Sequence, residues 1–270
     1  KKPFDLFFSY LMDHHIEGKI IDEIKREGVT TCNFSCNNTH QFYLVENISM
    51  HFDYNLHSEK DVAQKFEKIG VNAVWFPMAV NPKYYHPLDI DRTIDVSFVG
   101  QNYARRPYYI WHLLENGIDV HVYGPGWRNK EKLTFLRRIK RELIRSKLII
   151  SNLFTISPER RAEISSRIAN IDFKTKLLEK YDRNLHFPIT DEDMVRKYSE
   201  SKISLGFLEV YDKSDPSKTV KQHLHLREFE APMSGALYFT NYSDELTEFY
   251  EPDKEVVVYR NEHELLDKVQ

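Results

Sequence analysis

Short apolar segments alternate with amphipathic segments along the chain, and this alternation limits the fold more than any other feature. The first apolar segment, residues 4–10, is followed by helical periodicity over residues 16–26. The same order returns later, with a strand predicted at residues 94–99 and a helix at residues 104–115. Strands that alternate with helices in this way form a parallel sheet wrapped by helices. The sequence therefore predicts an α/β fold.

The length of 270 residues exceeds that of a typical single domain and favours two α/β halves. Residues 81–93 are rich in proline and break the alternation, so we predict a linker there. Residues 1–80 then form a first domain and residues 94–270 a second, which carries a helical insertion at about 129–185. The chain starts without Met and stops inside an apparent helix, so we expect a portion of a longer protein with an incomplete first domain.

Composition and charge exclude several classes of protein. The net charge of −3 gives no overall electrostatic attraction to nucleic acid, so no nucleic-acid partner is predicted. No apolar run approaches the length of a membrane span, and no signal peptide is present. The only cysteines, Cys32 and Cys36, fit reduced thiols of a cytoplasmic protein better than a disulfide framework. No histidine or cysteine spacing typical of a metal site is present, so no metal is predicted.

Residues 223–259 carry the most specific candidate site. They predict a short helix at 226–234 and a buried strand at 236–240. Arg227 and Glu230 are three residues apart, so both can reach one ligand from the same side of the helix. A guanidinium can bind phosphate with two hydrogen bonds, and a carboxylate can accept two sugar hydroxyls. A surface ion pair on a packing helix explains the same two residues equally well.

A glycine turn after the strand at residues 94–99 is a second candidate. Gly100 lets the backbone approach a ligand closely, and Arg105 and Arg106 lie at the start of the next helix. Helix-start amides and an arginine can together bind a diphosphate. Gly124 ends the following strand and is included in the same candidate site. Glycines after strands and surface arginine pairs are common, but a parallel sheet would bring this turn and Arg227 to one edge.

His14 and His15 lie in the loop after the first predicted strand, at the edge where parallel sheets bind ligands. Either could act as a general base or hold a transferred group. Both could equally be ordinary loop histidines.

Residues 130–147 contain eight Lys or Arg and two Glu, with apolar residues at a spacing of three to four. This pattern predicts a basic amphipathic helix, and such a helix can lie on an anionic membrane surface over about residues 130–150. Docking on its own domain with a solvated basic face explains it equally well. RNA binding is less favoured because aromatic residues are sparse.

Four segments resemble the nucleotide-binding half of the GT-B glycosyltransferases, group 1 type, and are most similar to the spore-maturation (CgeB-like) group. The last segment is the most specific, with an Arg-x-Phe-Glu core, a glycine turn, a strand and a Glu-bearing helix. The first domain is similar more loosely, and residues 129–185 lie outside the resemblance. The four segments are residues 94–107, 120–127, 198–207 and 226–259.

The resemblance implies a GT-B-like fold of two Rossmann-like domains facing a cleft. It implies a nucleotide-sugar donor on the second domain, a glycan or glycoconjugate acceptor on the first, and no obligatory metal or other cofactor. Glu230 matches the family glutamate that binds ribose, and Arg227 matches an arginine near the diphosphate. Gly100 and Arg105 or Arg106 match the glycine turn and the basic residue that offsets charge on the leaving phosphate.

Two positions depart from the family pattern. Gln222 replaces a glutamate eight positions before Glu230, and Asn37 and Asn38 stand where an acidic residue is expected. We expect a glycosyltransferase of hexosyltransferase type that acts in polysaccharide biosynthesis, in the cytoplasm or peripherally on the inner face of the membrane. The departures leave open a non-catalytic GT-B-like module at a membrane surface, or a nucleotide-sugar epimerase.

Overall fold

The computed structural model describes residues 4–128, 135–155, 158–211 and 220–270. Contacts divide the chain into two units. Unit 1 comprises Lys1–Met78 and Tyr211–His223, and unit 2 comprises Ala79–Val210 and Leu224–Gln270. Each unit contains a parallel sheet with helical connections, so the predicted α/β fold is confirmed.

Unit 1 is built on a four-stranded parallel sheet whose strands follow one another in chain order. Right-handed crossovers between strands in this order place every connecting helix on the same face. Phe7 packs into the core under the helices, whereas its neighbours Leu6 and Phe8 are more than half exposed on the other face. The strands are β1 (Leu6–Ser9), β2 (Thr30–Ser35), β3 (Tyr54–His57) and β4 (Ala73–Trp75), and the helices are α1 (Gly18–Arg26), α2 (Asn38–Gln41), α3 (Glu46–Ser49) and α4 (Ala63–Lys68).

Unit 2 is built on a six-stranded parallel sheet. The strands of this sheet are β5 (Ile94–Val99), β6 (Val120–Tyr123), β7 (Leu185–His186), β8 (Ser201–Leu205), β11 (Leu237–Asn241) and β12 (Val257–Tyr259). Of the two remaining strands, β9 (Glu209–Tyr211) ends at the first residue that groups with unit 1, and β10 (Val220–Gln222) lies in unit 1. The helices are α5 (Arg106–Glu115), α6 (Phe135–Phe154), α7 (Pro158–Lys180), α8 (Asp191–Glu200), α9 (Arg227–Met233) and α10 (Glu262–Val269).

The large sheet of unit 2 has the order β12-β11-β8-β5-β6-β7. The chain therefore builds outwards from β5 in one direction through β6 and β7, and in the other through β8, β11 and β12. Both faces are covered: Phe98 and Val122 pack into one core, and Val99 and Tyr123 into another. In sheets of this kind ligands bind where the strand order reverses, at the carboxyl ends of the central strands. Here that point lies after β5 and β8.

Some element boundaries differ from the sequence predictions. The sequence also predicts a third strand at residues 51–55. That strand lies instead at Tyr54–His57, because Phe52 packs into the core of unit 1 and does not join the sheet. The sequence further predicts a helix at residues 244–250. Only a 3-10 helix over Leu246–Glu248 forms, beside a hydrogen bond from the Thr247 hydroxyl to the Asp244 carbonyl. The basic helix starts at Phe135 among the described residues, and residues 129–134 lie outside them.

The segment that the sequence assigned to a linker, residues 81–93, packs on unit 2, which begins at Ala79. Its backbone is tied down, since Leu88 N donates to Ser199 Oγ at 3.1 Å. Arg92 donates to the carbonyl of Ser201 at 3.1 Å and to that of Gly235 at 2.6 Å. Conversely, residues 211–223 group with unit 1, although the sequence placed them in the second domain. In the described part of the chain, no helix is both long and apolar enough to cross a membrane.

Candidate functional site

Two glycine-containing loops meet where the strand order of unit 2 reverses. Gly100 follows β5 and Gly206 follows β8. A Cβ atom at Gly206 would lie 1.9 Å from the Tyr238 hydroxyl, so only glycine fits there. Gly124 has φ of 148°, and a Cβ atom on it would lie 2.1 Å from the Gly100 carbonyl oxygen. The predicted Gly100 and Gly124 turns therefore pack backbone against backbone at this edge.

Arg106 connects the loop after β5 to the loop after β8. Its Nη1 donates to the Gln101 carbonyl at 3.0 Å, and its Nη2 donates to the Phe207 carbonyl at 2.9 Å and the Tyr103 hydroxyl at 2.6 Å. The residue is only 2% exposed, and burial lowers the pKa of its guanidinium. In this structure Arg106 fixes the loops with internal hydrogen bonds, and its predicted contact with a diphosphate stays a prediction.

Arg105 points to a different partner from Arg106. Its Nε donates to Glu209 Oε2 at 2.8 Å, and its Nη2 contacts the other oxygen of the same carboxylate. Tyr109 adds a hydrogen bond to Glu209 Oε1 at 2.9 Å. The buried Glu209 carboxylate raises the pKa of Arg105 and balances its charge. The predicted role of Arg105 in binding an anion likewise stays a prediction.

Arg227, at the start of α9, has no such internal partner. Within the described ranges its guanidinium makes no hydrogen bond, and its Nε is fully buried. It lies close enough to Arg106 and Glu230 for its charge to affect the pKa of both. Burial opposes the charged form of Arg227, but Tyr198 and Glu230 outweigh it and raise the pKa of the guanidinium. A buried cation with free N–H donors is suited to an anionic ligand.

Glu230 lies beside Arg227 on α9 and is 4% exposed. Its Oε1 accepts a hydrogen bond from the Tyr85 hydroxyl at 3.0 Å, and its Oε2 has no hydrogen-bond partner in the described part of the chain. Burial raises the pKa of this carboxyl, while Arg227 and the Tyr85 hydrogen bond oppose the rise. The free oxygen can accept hydroxyl groups of a ligand. The structure thus brings Arg227, Glu230 and the Arg106 side of the Gly100 loop to one edge, as the sequence predicted.

A buried network of hydrogen bonds, which was not predicted from the sequence, links the loop after β5 to α9. Tyr103, which receives the Arg106 hydrogen bond, lies 2.7 Å from His225 Nε2. The backbone N–H of His225 in turn donates to Glu228, which is 1% exposed and also accepts from the Tyr238 hydroxyl at 2.8 Å. Burial raises the pKa of Glu228 to about 7. The network fixes the backbone on which Arg227 and Glu230 stand.

Pro232 explains why the carbonyl of Glu228 accepts a hydrogen bond from outside the helix. Proline has no N–H and leaves the carbonyl four residues earlier without its helical partner. The carbonyl of Glu228 instead accepts from the Tyr250 hydroxyl at 2.8 Å. Pro232 therefore lies inside α9, where it is accommodated by a side chain from outside the helix. A proline four residues after Glu228 is the sequence signal that could have pointed to such a partner.

His14 and His15 lie in unit 1, in the exposed loop after β1, with ring centroids 4.2 Å apart. Met12 N donates to His15 Nδ1 at 3.1 Å, so the neutral ring of His15 carries its hydrogen on Nε2. Asp13 holds the loop by accepting from Ile48 N at 2.8 Å. The residues predicted to bind the nucleotide-sugar donor lie in unit 2. The catalytic role of His14 and His15 stays a prediction.

Unit 1 also contains a buried acid that is not among the candidate residues predicted from the sequence. Glu59 follows β3 at the carboxyl edge of the sheet and is fully buried. Its Oε1 lies 3.8 Å from Nδ1 of His223, which is 1% exposed. Burial raises the pKa of Glu59 to about 7, although the backbones of Asn38 and Asn37 favour its ionised form. Its place after a strand of a parallel sheet is the signal that could have identified it.

The described residues contain no group of three or more His, Cys, Asp or Glu side chains placed to hold a metal ion.

The C-terminal part of the chain, residues 145–270, matches the family model described as "Glycosyl transferase-like". No curated protein matches the sequence. Among solved structures, HepE from Anabaena in complex with UDP is similar, with a TM-score of 0.54, 8% identity, and coverage of 98% of this chain and 68% of HepE.

Two further structures have the same fold. TarM gives a TM-score of 0.52 at 12% identity, covering 89% of this chain and 43% of TarM. An α-glucosyltransferase in complex with UDP and a 13-mer DNA containing a HMU base gives a TM-score of 0.51 at 11% identity, covering 88% of this chain and 60% of that protein. The chain therefore spans less than two thirds of either of these two proteins. It has the α/β fold of the GT-B glycosyltransferases, and its residues 145–270 match the glycosyl transferase-like family.

Proposed function

We propose that this chain belongs to a metal-independent glycosyltransferase that moves a sugar from a nucleotide-diphosphate sugar to a glycan or glycoconjugate acceptor. In this proposal unit 2 binds the donor. Arg227 binds the diphosphate, Glu230 accepts the ribose hydroxyls, and the backbone of the Gly100 loop approaches the phosphates. Arg106 positions that loop.

The observation that carries the proposal is the unpartnered guanidinium of Arg227 beside Glu230, where the strand order of unit 2 reverses. When a sugar leaves its donor, negative charge develops on the departing diphosphate. Donors and cations that are already in place stabilise that charge without reorganisation. An arginine without an internal partner is free to do so, whereas Arg105 is already paired with Glu209. The family match over residues 145–270 includes Arg227 and Glu230.

The remaining parts of the proposal rest on similarity. HepE and the α-glucosyltransferase were both solved with UDP, so we propose UDP as the nucleotide. The segments described above favour the CgeB-like group, hexosyl transfer and a role in polysaccharide biosynthesis in the cytoplasm. We assign the acceptor to unit 1, with His14 or His15 facing the reacting sugar.

Replacement Glu230→Gln tests the donor site. An amide oxygen still accepts ribose hydroxyls but lacks the charge of a carboxylate, and a charge-assisted hydrogen bond contributes roughly 1.4 kcal/mol more than a neutral one. We expect UDP affinity to fall about tenfold. Titration calorimetry with UDP measures this, and Glu192→Gln, at an exposed position of α8, is the matched control. An unchanged UDP affinity in Glu230→Gln would remove the ribose role.

Removal of divalent metal is expected to leave UDP binding within about twofold, because Arg227 supplies positive charge that a metal would otherwise provide. Calorimetry of the 270-residue chain in Mg²⁺ and in EDTA measures the effect. A loss of affinity by about tenfold or more in EDTA would contradict metal-independent binding.

The two alternatives give different products. An epimerase would convert the nucleotide sugar to its isomer with no acceptor present, which chromatography of the nucleotide sugar detects. A non-catalytic module would bind no UDP at all. Formation of a glycosylated acceptor with release of UDP is the result that the proposed transferase requires.

A further inference from the structure

Helix α6 presents an apolar stripe to solvent on the side that faces away from its neighbour α7. Four side chains form the stripe, with exposed fractions from 41% to 82%. At 100° per residue they fall within about 60° of one another around the helix axis. The stripe consists of Ile139, Leu143, Ile150 and Phe154.

The opposite side of α6 is the one that packs. Arg145 Nε donates to Asp172 Oδ1 of α7 at 2.7 Å, and Asn152 Nδ2 donates to Ser165 Oγ at 3.2 Å. Arg145 lies about 150° and Asn152 about 170° away from the centre of the stripe around the helix axis. Docking of α6 on its own unit therefore leaves the stripe uncovered, which answers one of the two interpretations of this basic helix. The helix is docked and its apolar stripe still faces solvent.

The charge on α6 limits what can cover the stripe. By sequence the helix holds six Lys or Arg and one Glu, in a chain whose net charge is −3. Lys140 and Lys147 are exposed and lie on one flank of the stripe, whereas Arg145 is paired with Asp172. A second copy would bring two basic flanks together, which is unfavourable. A nucleic-acid backbone offers no apolar partner for the stripe.

We propose that α6 docks on the surface of an anionic lipid membrane. Such a surface offers both groups that the helix needs, because acyl chains bury an apolar stripe to a depth of about 5–10 Å while anionic headgroups attract the flanking lysines. The helix lies in the plane of the interface and does not cross it. This docking is independent of the donor site, since neither the stripe nor its lysines contact Arg227 or Glu230.

Flotation of the whole chain with lipid vesicles tests the proposal. We expect binding to vesicles of phosphatidylcholine mixed with phosphatidylserine, weak binding to phosphatidylcholine alone, and a severalfold decrease as salt is raised. The double variant Leu143→Ser/Ile150→Ser should lose about tenfold or more in partitioning, because two apolar side chains no longer enter the lipid. In Lys140→Gln/Lys147→Gln each removed charge should weaken binding about fivefold.

Matched controls lie far from α6 in the sequence. Met50→Ser removes a half-exposed apolar side chain and Lys68→Gln an exposed lysine, both in unit 1, and neither should change partitioning. The four substituted positions of α6 are on the surface, so the circular dichroism spectrum and the UDP affinity of both double variants should match those of the wild type. Equal binding to neutral and anionic vesicles, binding that survives Leu143→Ser/Ile150→Ser, or no vesicle binding would each overturn the proposal. A dimer in light scattering that Leu143→Ser abolishes would assign the stripe to a second copy and overturn it too.

Discussion

Replacement of Arg227 by glutamine is expected to weaken UDP binding by about 30- to 100-fold. A guanidinium bound to phosphate makes charge-assisted hydrogen bonds that contribute roughly 1.5–3 kcal/mol each. Glutamine can donate to phosphate but brings no charge. The change removes no hydrogen bond in the described part of the free protein, because the guanidinium makes none there. Affinity should therefore fall while the melting temperature changes little, and calorimetry with UDP together with thermal unfolding measures both.

Two further variants test whether the effect is specific to Arg227 and whether it depends on charge alone. Arg196→Gln removes an exposed arginine from α8, which pairs with Glu200, and should leave UDP affinity unchanged. Arg227→Lys keeps the charge but loses the planar fork of donors, so its affinity should lie between the wild type and Arg227→Gln. If Arg227→Gln binds UDP within about twofold of the wild type, the diphosphate does not use this residue.

The fold could be predicted from the sequence because its strands and helices are determined by local patterns of apolar residues and glycines. Apolar runs bounded by glycine gave the strand Ile94–Val99 with the bounds that the structure has, and they placed α1 and α5 within two residues of their observed starts. The convergence of the Gly100 loop and Arg227 also followed, since parallel strands bring their carboxyl ends to one edge. Neither inference needed any knowledge of which side chains touch.

Side-chain partners could not be predicted, because they depend on residues distant in sequence. The Tyr85 hydroxyl reaches Glu230 across 145 positions, and Glu209 reaches Arg105 across 104. Residues 81–93 look like a linker by composition, yet their backbone groups find partners on unit 2. Hydrophobic periodicity reports which side of an element is buried and carries no information about these pairings.

The burial of Glu59 and Glu228 could not be predicted for the same reason. Glu59 and Glu228 are charged residues in the sequence, and only the place of Glu59 after a strand distinguishes either of them from exposed glutamates such as Glu67. In the structure each lies beside a histidine, with Glu59 near His223 and Glu228 near His225. Burial raises the pKa of both glutamates to about 7. Each therefore binds a proton more tightly in the folded chain than in the unfolded one, and this links stability to pH.

Replacement Glu59→Gln is expected to remove part of that dependence. A carboxyl whose pKa rises from 4.5 unfolded to about 7 folded favours the folded state fully below about pH 4.5. This contribution is lost as the pH rises to 7 and beyond, and its upper limit is about 3 kcal/mol. Glutamine is neutral at every pH. The free energy of unfolding of Glu59→Gln, relative to the wild type, should thus increase from pH 5 to pH 8 by up to this amount, as measured by urea denaturation.

The comparison isolates Glu59 and its neighbour His223, because Glu228 is present in both proteins and its contribution cancels in the difference. Glu67→Gln, at an exposed position of α4, is the matched control, and its free energy of unfolding should change with pH in parallel with that of the wild type. The sign of the result separates two states of the Glu59–His223 pair, whose side chains lie 3.8 Å apart. If a protonated His223 held Glu59 ionised, the pKa of the carboxyl would be depressed, and Glu59→Gln would become relatively less stable as the pH rises from 4 to 6. A variant that gains on the wild type with rising pH instead requires a neutral, buried Glu59.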